Sequence, residues 1–347
     1  MRRSSCIAGR LALTMLDFAL VFAIAGTVVA FKYLSSKAAD PQSDEAWRRA
    51  ARRVGGEVEL KPRRLLEIPK RRIRSTIEDV PIELFNEEES RGKSSAVVTR
   101  IVTGSLRGSE LARIRCEPRD IVSQVSRKLG IGELPTGDKD FDAEVHVSGS
   151  PRALALEFLD PSTRRLVARG GQFDLERERF ALQREGEQDD SEALVAMIRF
   201  AEQLVLRWHA LLRGPVRLAE RLGLSVDGPP QLACGVDRVA QGTLRSRTVT
   251  LSIRVEEEVA LTLLSIDEPN VDEWTMERGE SSAFVITGTP PDGIRALAET
   301  MPRCLLGLHG TTKTMDLAFE GLTPDHEEVI AALDAVLVAS TSPAPYR

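Results

Sequence analysis

The stretch "GTLRSRTVTLSIRVE", Gly242–Glu256, decides the fold. Val249, Leu251, Ile253 and Val255 alternate with Thr250, Ser252 and Arg254, the period of a strand with one face buried and one wet. An earlier stretch, "GSLRGSELARIRCE" (Gly104–Glu117), resembles it with one residue fewer. Farther along, "VSGSPRALALEFLDPSTRRLV" from Val147 resembles "ITGTPPDGIRALAETMPRCLL" from Ile286. The offset is 138 residues at the first pair of glycines and 139 at Gly149 and Gly288. Each region then runs into a helical pattern, "SEALVAMIRFAEQLVLRWHALL" in one and "DHEEVIAALDAVLVA" in the other. In the first helix, Leu194, Ile198, Ala201, Val205 and Trp208 share one face. Matched segments in the same order predict a tandem duplication of an antiparallel-sheet-plus-helix unit, an α+β class.

Outside this region the sequence turns apolar. Leu11–Phe31 is 21 residues with one charge, Asp17, long enough for a helix across a hydrocarbon core of about 30 Å. A cleaved signal peptide is the rival reading; the apolar run past Ala25 favours a retained transmembrane helix. The expected order is therefore a transmembrane helix at 11–31, a basic juxtamembrane neck and linker at 35–95, and a first α+β repeat at 96–213. A linker at 214–231, a second repeat at 232–340 and a disordered tail at 341–347 follow.

Charge is divided unevenly along the chain. Net charge is −5 overall, but residues 41–75 carry a net +6 and residues 101–347 a net −11. An acidic body argues against nucleic acid as partner, because phosphate binding needs clustered positive charge. The neck arginines, Arg48, Arg49, Arg52, Arg53, Arg63, Arg64, Arg71, Arg72 and Arg74, suit a membrane surface. Anionic lipid headgroups are the expected contact, with the body on the cytoplasmic side. "SDEAWRRAARRVGG" reads as a short helix with Ser43 as N-cap and Gly55–Gly56 as stop, its Trp47 a candidate for the membrane surface. Cys6, Cys116, Cys234 and Cys304 have no paired spacing, which speaks against a disulfide framework.

The most chemically suggestive run is "PTGDKDFDAEVHVSGSP", Pro135–Pro151. Asp138, Asp140 and Asp142 fit the first three ligand positions of a calcium loop, but Ala143 and Gly149 stand where such a loop needs its Gly and its bidentate Glu. Period-2 spacing also spreads carboxylates along a strand instead of converging them. The expectation is a solvated turn and strand edge, with a cation or partner site at Asp138, Asp140 and Asp142 as the alternative. "TGDKDFD" followed by "VSGSP" resembles a pattern of uncharacterised bacterial single-pass membrane-anchored proteins, TGD-x-x-FD then V-x-G-x-P, over residues 96–210. That resemblance implies no activity.

No phosphate-binding loop, zinc-protease motif, nucleophile elbow or dinucleotide fingerprint is present. His146, His209, His309 and His326 are scattered. The expected function is a membrane-anchored, non-enzymatic protein without cofactor, whose duplicated body binds a protein partner as scaffold or sensor. The alternatives are a hydrolase using the Asp138–Glu144 stretch with His146 as base, and a cation or ligand sensor.

Overall fold

The computed structural model describes residues 41–61, 68–91, 94–109, 112–119, 133–227, 235–267, 272–279 and 283–341. In chain order the elements begin with α1 (Pro41–Val54), β1 (Glu57–Lys61), β2 (Lys70–Ile77), β3 (Val80–Arg91), β4 (Ser94–Thr103) and β5 (Arg113–Pro118). Next come α2 (Lys139–Glu144), β6 (Val145–Ser150), α3 (Arg152–Phe158), α4 (Pro161–Gly170), β7 (Phe173–Glu176), β8 (Arg179–Glu185) and the long α5 (Ser191–Arg221). The chain continues through β9 (Ser225–Val226), β10 (Gly235–Leu244), β11 (Arg247–Val255), β12 (Ala260–Asp267), β13 (Trp274–Arg278) and β14 (Phe284–Thr287). It closes with α6 (Asp292–Leu297), β15 (Leu305–Gly310), β16 (Thr314–Glu320) and α7 (His326–Thr341).

The strands form two eight-stranded antiparallel sheets. One runs β1-β2-β3-β4-β8-β7-β5-β6 and the other β9-β10-β11-β12-β16-β15-β13-β14. Adding eight to each strand number converts the first order into the second. This corrects the expected architecture. Strands β1 to β3 lie where a basic neck and a linker were expected, so the first sheet starts far ahead of residue 96. The "GSLR" and "GTLR" segments are not equivalent either: β5 corresponds to β13, whereas Gly242–Glu256 spans the β10–β11 hairpin. Only the match that starts at Val147 and Ile286 falls on corresponding strands, β6 and β14, with Gly288 one residue past the end of β14.

Among the described residues no helix is long and apolar enough to cross a membrane. The expected helix at Leu11–Phe31 lies outside the described residues, as do Cys6, Cys234, Arg63, Arg64 and 342–347 of the tail. Two antiparallel sheets with helices stand in place of the expected anchored single-pass architecture, and no described helix supplies the span on which the expected membrane localisation rested.

The chain divides into two compact units. The first holds residues up to Ser75 with Glu83–Arg100 and Arg184–Val195; the second holds Thr76–Ile82, Ile101–Gln183 and Ala196 onward. In the first unit, α1 buries Ala46, Trp47, Ala50 and Ala51. Trp47 is wholly enclosed and its indole N–H donates to the Gln188 carbonyl at 3.0 Å, so it does not lie on a membrane surface. Ser43 sits inside the helix instead of capping it. Gly55, at φ 66°, turns the chain out of α1, a conformation glycine adopts without steric cost.

In the second unit the period-2 face of β11 is buried at Val249, Leu251, Ile253 and Val255. Helix α5 runs 31 residues and carries Pro215 inside it, where the sequence reading ends the helix and starts a linker. Proline removes one intrahelical hydrogen bond, yet Leu211, Leu212, Leu218 and Ala219 are buried on both sides of it. That packing holds the two parts as one helix. Gly214 is required there, since a Cβ would stand 2.2 Å from Thr323 Cγ2.

Glu157 of α3 meets the loop after β16. The Leu322 N–H donates to its carboxylate, while burial first, and then Glu320 and Asp160, raise its pKa above the ordinary 4.5. A carboxyl whose folded pKa is raised costs stability at pH values above its unfolded pKa, and that cost disappears once it is protonated in both states. Glu157→Gln is therefore expected to raise the melting temperature near neutral pH and to change nothing below about pH 4. Thermal denaturation at both pH values checks this; a lower melting temperature at neutral pH would contradict it.

Candidate functional site

The β2–β3 hairpin ends in a two-residue turn, Glu78–Asp79, with φ of 46° and 67°. Both central residues at positive φ make a type I′ turn, whose twist matches antiparallel strands. Without glycine this conformation is strained, and such strain concentrates at sites where side-chain placement matters. The same geometry recurs at Arg177–Glu178 and Arg245–Ser246, so each of these turns presents at least one charged side chain.

Glu78 faces α5. Its Oε2 lies 2.6 Å from His209 Nδ1 and 3.1 Å from an Arg213 terminal nitrogen, and its Oε1 accepts a second Arg213 bond at 3.2 Å. The spacing 209 and 213 puts both bases on one helix face, a turn apart. His209 holds Glu78 below the usual carboxylate range by its hydrogen bond, burial opposes this, and Arg213 reinforces the lowering. With Nδ1–H committed to the carboxylate, the imidazole keeps Nε2 for another partner. At the corresponding place in the second sheet the signs are exchanged: Arg245 of the β10–β11 turn pairs with Asp334 of α7 at 3.1 Å.

These residues line a cavity of about 530 Å³ with Asp79, Val80, Ser105, Arg107, Leu212, Val216 and Val226. Val80 and Leu212 are buried and form, with Val216 and Val226, an apolar wall. Ser105 donates to Glu178 of the β7–β8 turn. The loop carrying Arg107 is fixed from beneath by Trp208, whose indole N–H donates to the Arg107 carbonyl at 2.9 Å. In the sequence His209 is one of four scattered histidines, and none of its companions in the cavity stands out by motif. The available signal is the pair His209 and Arg213 on one helix face. Its partner, an Asn/Gly-free acidic turn 131 residues away, has no sequence signature.

The acidic run behaves differently from a strand edge. Residues 139–144 form the short helix α2, with Asp138 as N-cap accepting from the Phe141 N–H at 3.2 Å. Asp142 accepts from the Thr136 N–H, the Thr136 hydroxyl at 2.8 Å and the Gly137 N–H. Asp138 also pairs with Arg164 at 3.3 Å. Asp140 and Glu144 are exposed, and His146 lies on β6 with its Nδ1 unpartnered. Among the described residues no group of three or more His, Cys, Asp or Glu is arranged to hold a metal. The TGD-x-x-FD segment is a self-locking turn, with Phe141 as its buried plug.

The neck arginines are mostly paired within the first unit. Arg48 and Arg52 reach Glu45 at 3.7 and 2.8 Å, and Arg53 pairs with Glu192. Arg72 and Arg74 reach Glu83 at 3.8 and 2.8 Å. Arg71 is 2% exposed and lies between Asp44 and Glu187. Arg49 remains exposed. The sheet brings acidic strands beside basic ones, so the segment that reads as polybasic is largely neutralised.

Fold and cavity together define an α+β protein of two like-ordered antiparallel sheets with a mixed-charge cleft beside α5. No family model matches the chain, and no curated protein matches it. Among solved structures, the crystal structure of the mycobacterial trehalose monomycolate transport factor A, TtfA, is similar at 16% identity. The match covers 40% of this chain and 99% of that one, with a TM-score of 0.28, too low to establish a shared fold.

Proposed function

We propose that the chain is a non-enzymatic binding protein with a sensor role, taking a small ligand in the cavity beside α5. The observation that supports this is the convergence of Glu78, Asp79, Arg107, His209 and Arg213 on a concave space with an apolar wall. Its volume of about 530 Å³ lies in the range of small-molecule sites, and a few polar groups against apolar walls is their usual composition. A ligand that binds the folded state raises its melting temperature by mass action. Screening the chain against millimolar amino acids, carboxylates, amines and sugars is expected to find a stabilising class, and Leu212→Glu to abolish that shift. No shift with any class would sink the reading.

An enzymatic alternative draws on the same dyad, since a carboxylate-held imidazole is the arrangement of a general base. Ser105, the hydroxyl in this cavity, is instead engaged with Glu178, and this favours binding over hydrolysis. Turnover of an activated ester such as p-nitrophenyl acetate, lost in His209→Ala, would reverse that order.

A further inference from the structure

We infer that the ligand class of the cavity is a small zwitterion with an apolar body, such as a free apolar amino acid. The inference rests on reading this cavity as a ligand site and adds which chemistry it accepts. The lining charges fall into two sets. Glu78, His209 and Arg213 satisfy one another, through contacts of 2.6, 3.1 and 3.2 Å. Arg107 and Asp79 line the same cavity, are exposed, and pair with no group of opposite sign among the described residues.

One unspent cation and one unspent anion therefore face a common space, beside the apolar wall of Val80, Leu212, Val216 and Val226. A ligand carrying only a carboxylate would satisfy Arg107 and set its own charge against Asp79. One carrying only an ammonium would do the reverse. A zwitterion answers both, and an apolar body covers the valine and leucine side chains. Complementary charges select partners chiefly by penalising the wrong sign, so the discrimination is against singly charged analogues.

The test is calorimetric titration of the full chain with leucine, N-acetyl-leucine, leucinamide and glycine. N-acetyl-leucine lacks the ammonium, leucinamide lacks the carboxylate, and glycine lacks the apolar body. Leucine is expected to bind at least about tenfold more tightly than each of the other three, a difference of about 1.4 kcal/mol. Two variants assign the ends. Asp79→Asn keeps the positive φ that asparagine tolerates and is expected to erase the preference over N-acetyl-leucine. Arg107→Gln leaves the carbonyl that Trp208 uses and is expected to erase the preference over leucinamide.

Equal binding of leucine and either analogue would overturn the zwitterion assignment, as would preferences that survive both variants. If leucine fails to bind while another class in the wider screen binds in a Leu212-dependent way, the ligand class is wrong and the binding reading stands. If nothing in either experiment binds, both fall.

Discussion

Truncation of Trp208 to alanine is expected to cost about 3–5 kcal/mol of folding stability, the usual range for removing a large buried aromatic. Trp208 is wholly buried and its ring centroid lies 5.6 Å from that of Phe158. Phe158 in turn stacks on Phe180 at 5.6 Å and meets Phe173 edge-on at 6.1 Å. Phe173 and Phe180 close the set at 5.6 Å. Helices α3 and α5 and the β7–β8 hairpin thus share one aromatic cluster, and alanine at 208 would open a void where all of them meet. Trp208→Phe separates the two roles of the side chain. It retains much of the ring volume but leaves the Arg107 carbonyl without its donor, a loss of about 1–3 kcal/mol if water does not replace it. Urea unfolding of both variants measures this. An alanine variant within about 1 kcal/mol of the parent would mean that the cluster lies outside the cooperative core.

The second large effect is expected at Arg71. Its side chain is 2% exposed, its Nε donates to Asp44 at 2.7 Å, and a terminal nitrogen pairs with Glu187. The backbone at this residue is held too, by a 2.7 Å bond from its N–H to Asn86 Oδ1. Arg71→Met keeps most of the apolar stem but leaves two carboxylates facing each other without a cation. Breaking a buried pair by removing one partner costs about 3–5 kcal/mol. The two carboxylates here are 22% and 32% exposed, so the loss belongs at the low end, about 3 kcal/mol. The triple variant Asp44→Asn, Arg71→Met, Glu187→Gln should recover much of it, because no unpaired charge remains. Equal instability of single and triple variants in urea titration would show that packing of the arginine stem, not charge, carries the effect.

The local periodicities were legible and the structure places them as read. Val249, Leu251, Ile253 and Val255 are buried on β11, and Leu194, Ile198, Ala201, Val205 and Trp208 are buried along α5. Period alone failed where charge was dense. "KRRIRSTI" and "PIELFNEEESR" read as neck and linker, yet they are β2 and β3, their exposed arginines and glutamates matched across the ladder. The alternating carboxylates at 138–142 have strand spacing, but Asp138 caps a helix and Asp142 ties its own turn, which local hydrogen bonds decided over period. The match between "GSLR" and "GTLR" misplaced the repeat because similar short runs precede turns on unlike strands.

The candidate site was the least legible part. His209 and Arg213 sit a helical turn apart and can be paired from sequence. Their partner Glu78 is brought from a hairpin 131 residues away, and Arg107 and Asp79 join them only through the folding of three separate segments. What the sequence by itself determined is the buried face of β11, the long apolar helix face and the acidic balance of the body, because hydrophobic period and net charge are properties of neighbouring residues. Only the tertiary structure decided which strands share a sheet, which charges neutralise one another and which remain unspent in a cavity. Those depend on pairings between distant segments, and no local pattern encodes a counter-charge that arrives from elsewhere in the chain.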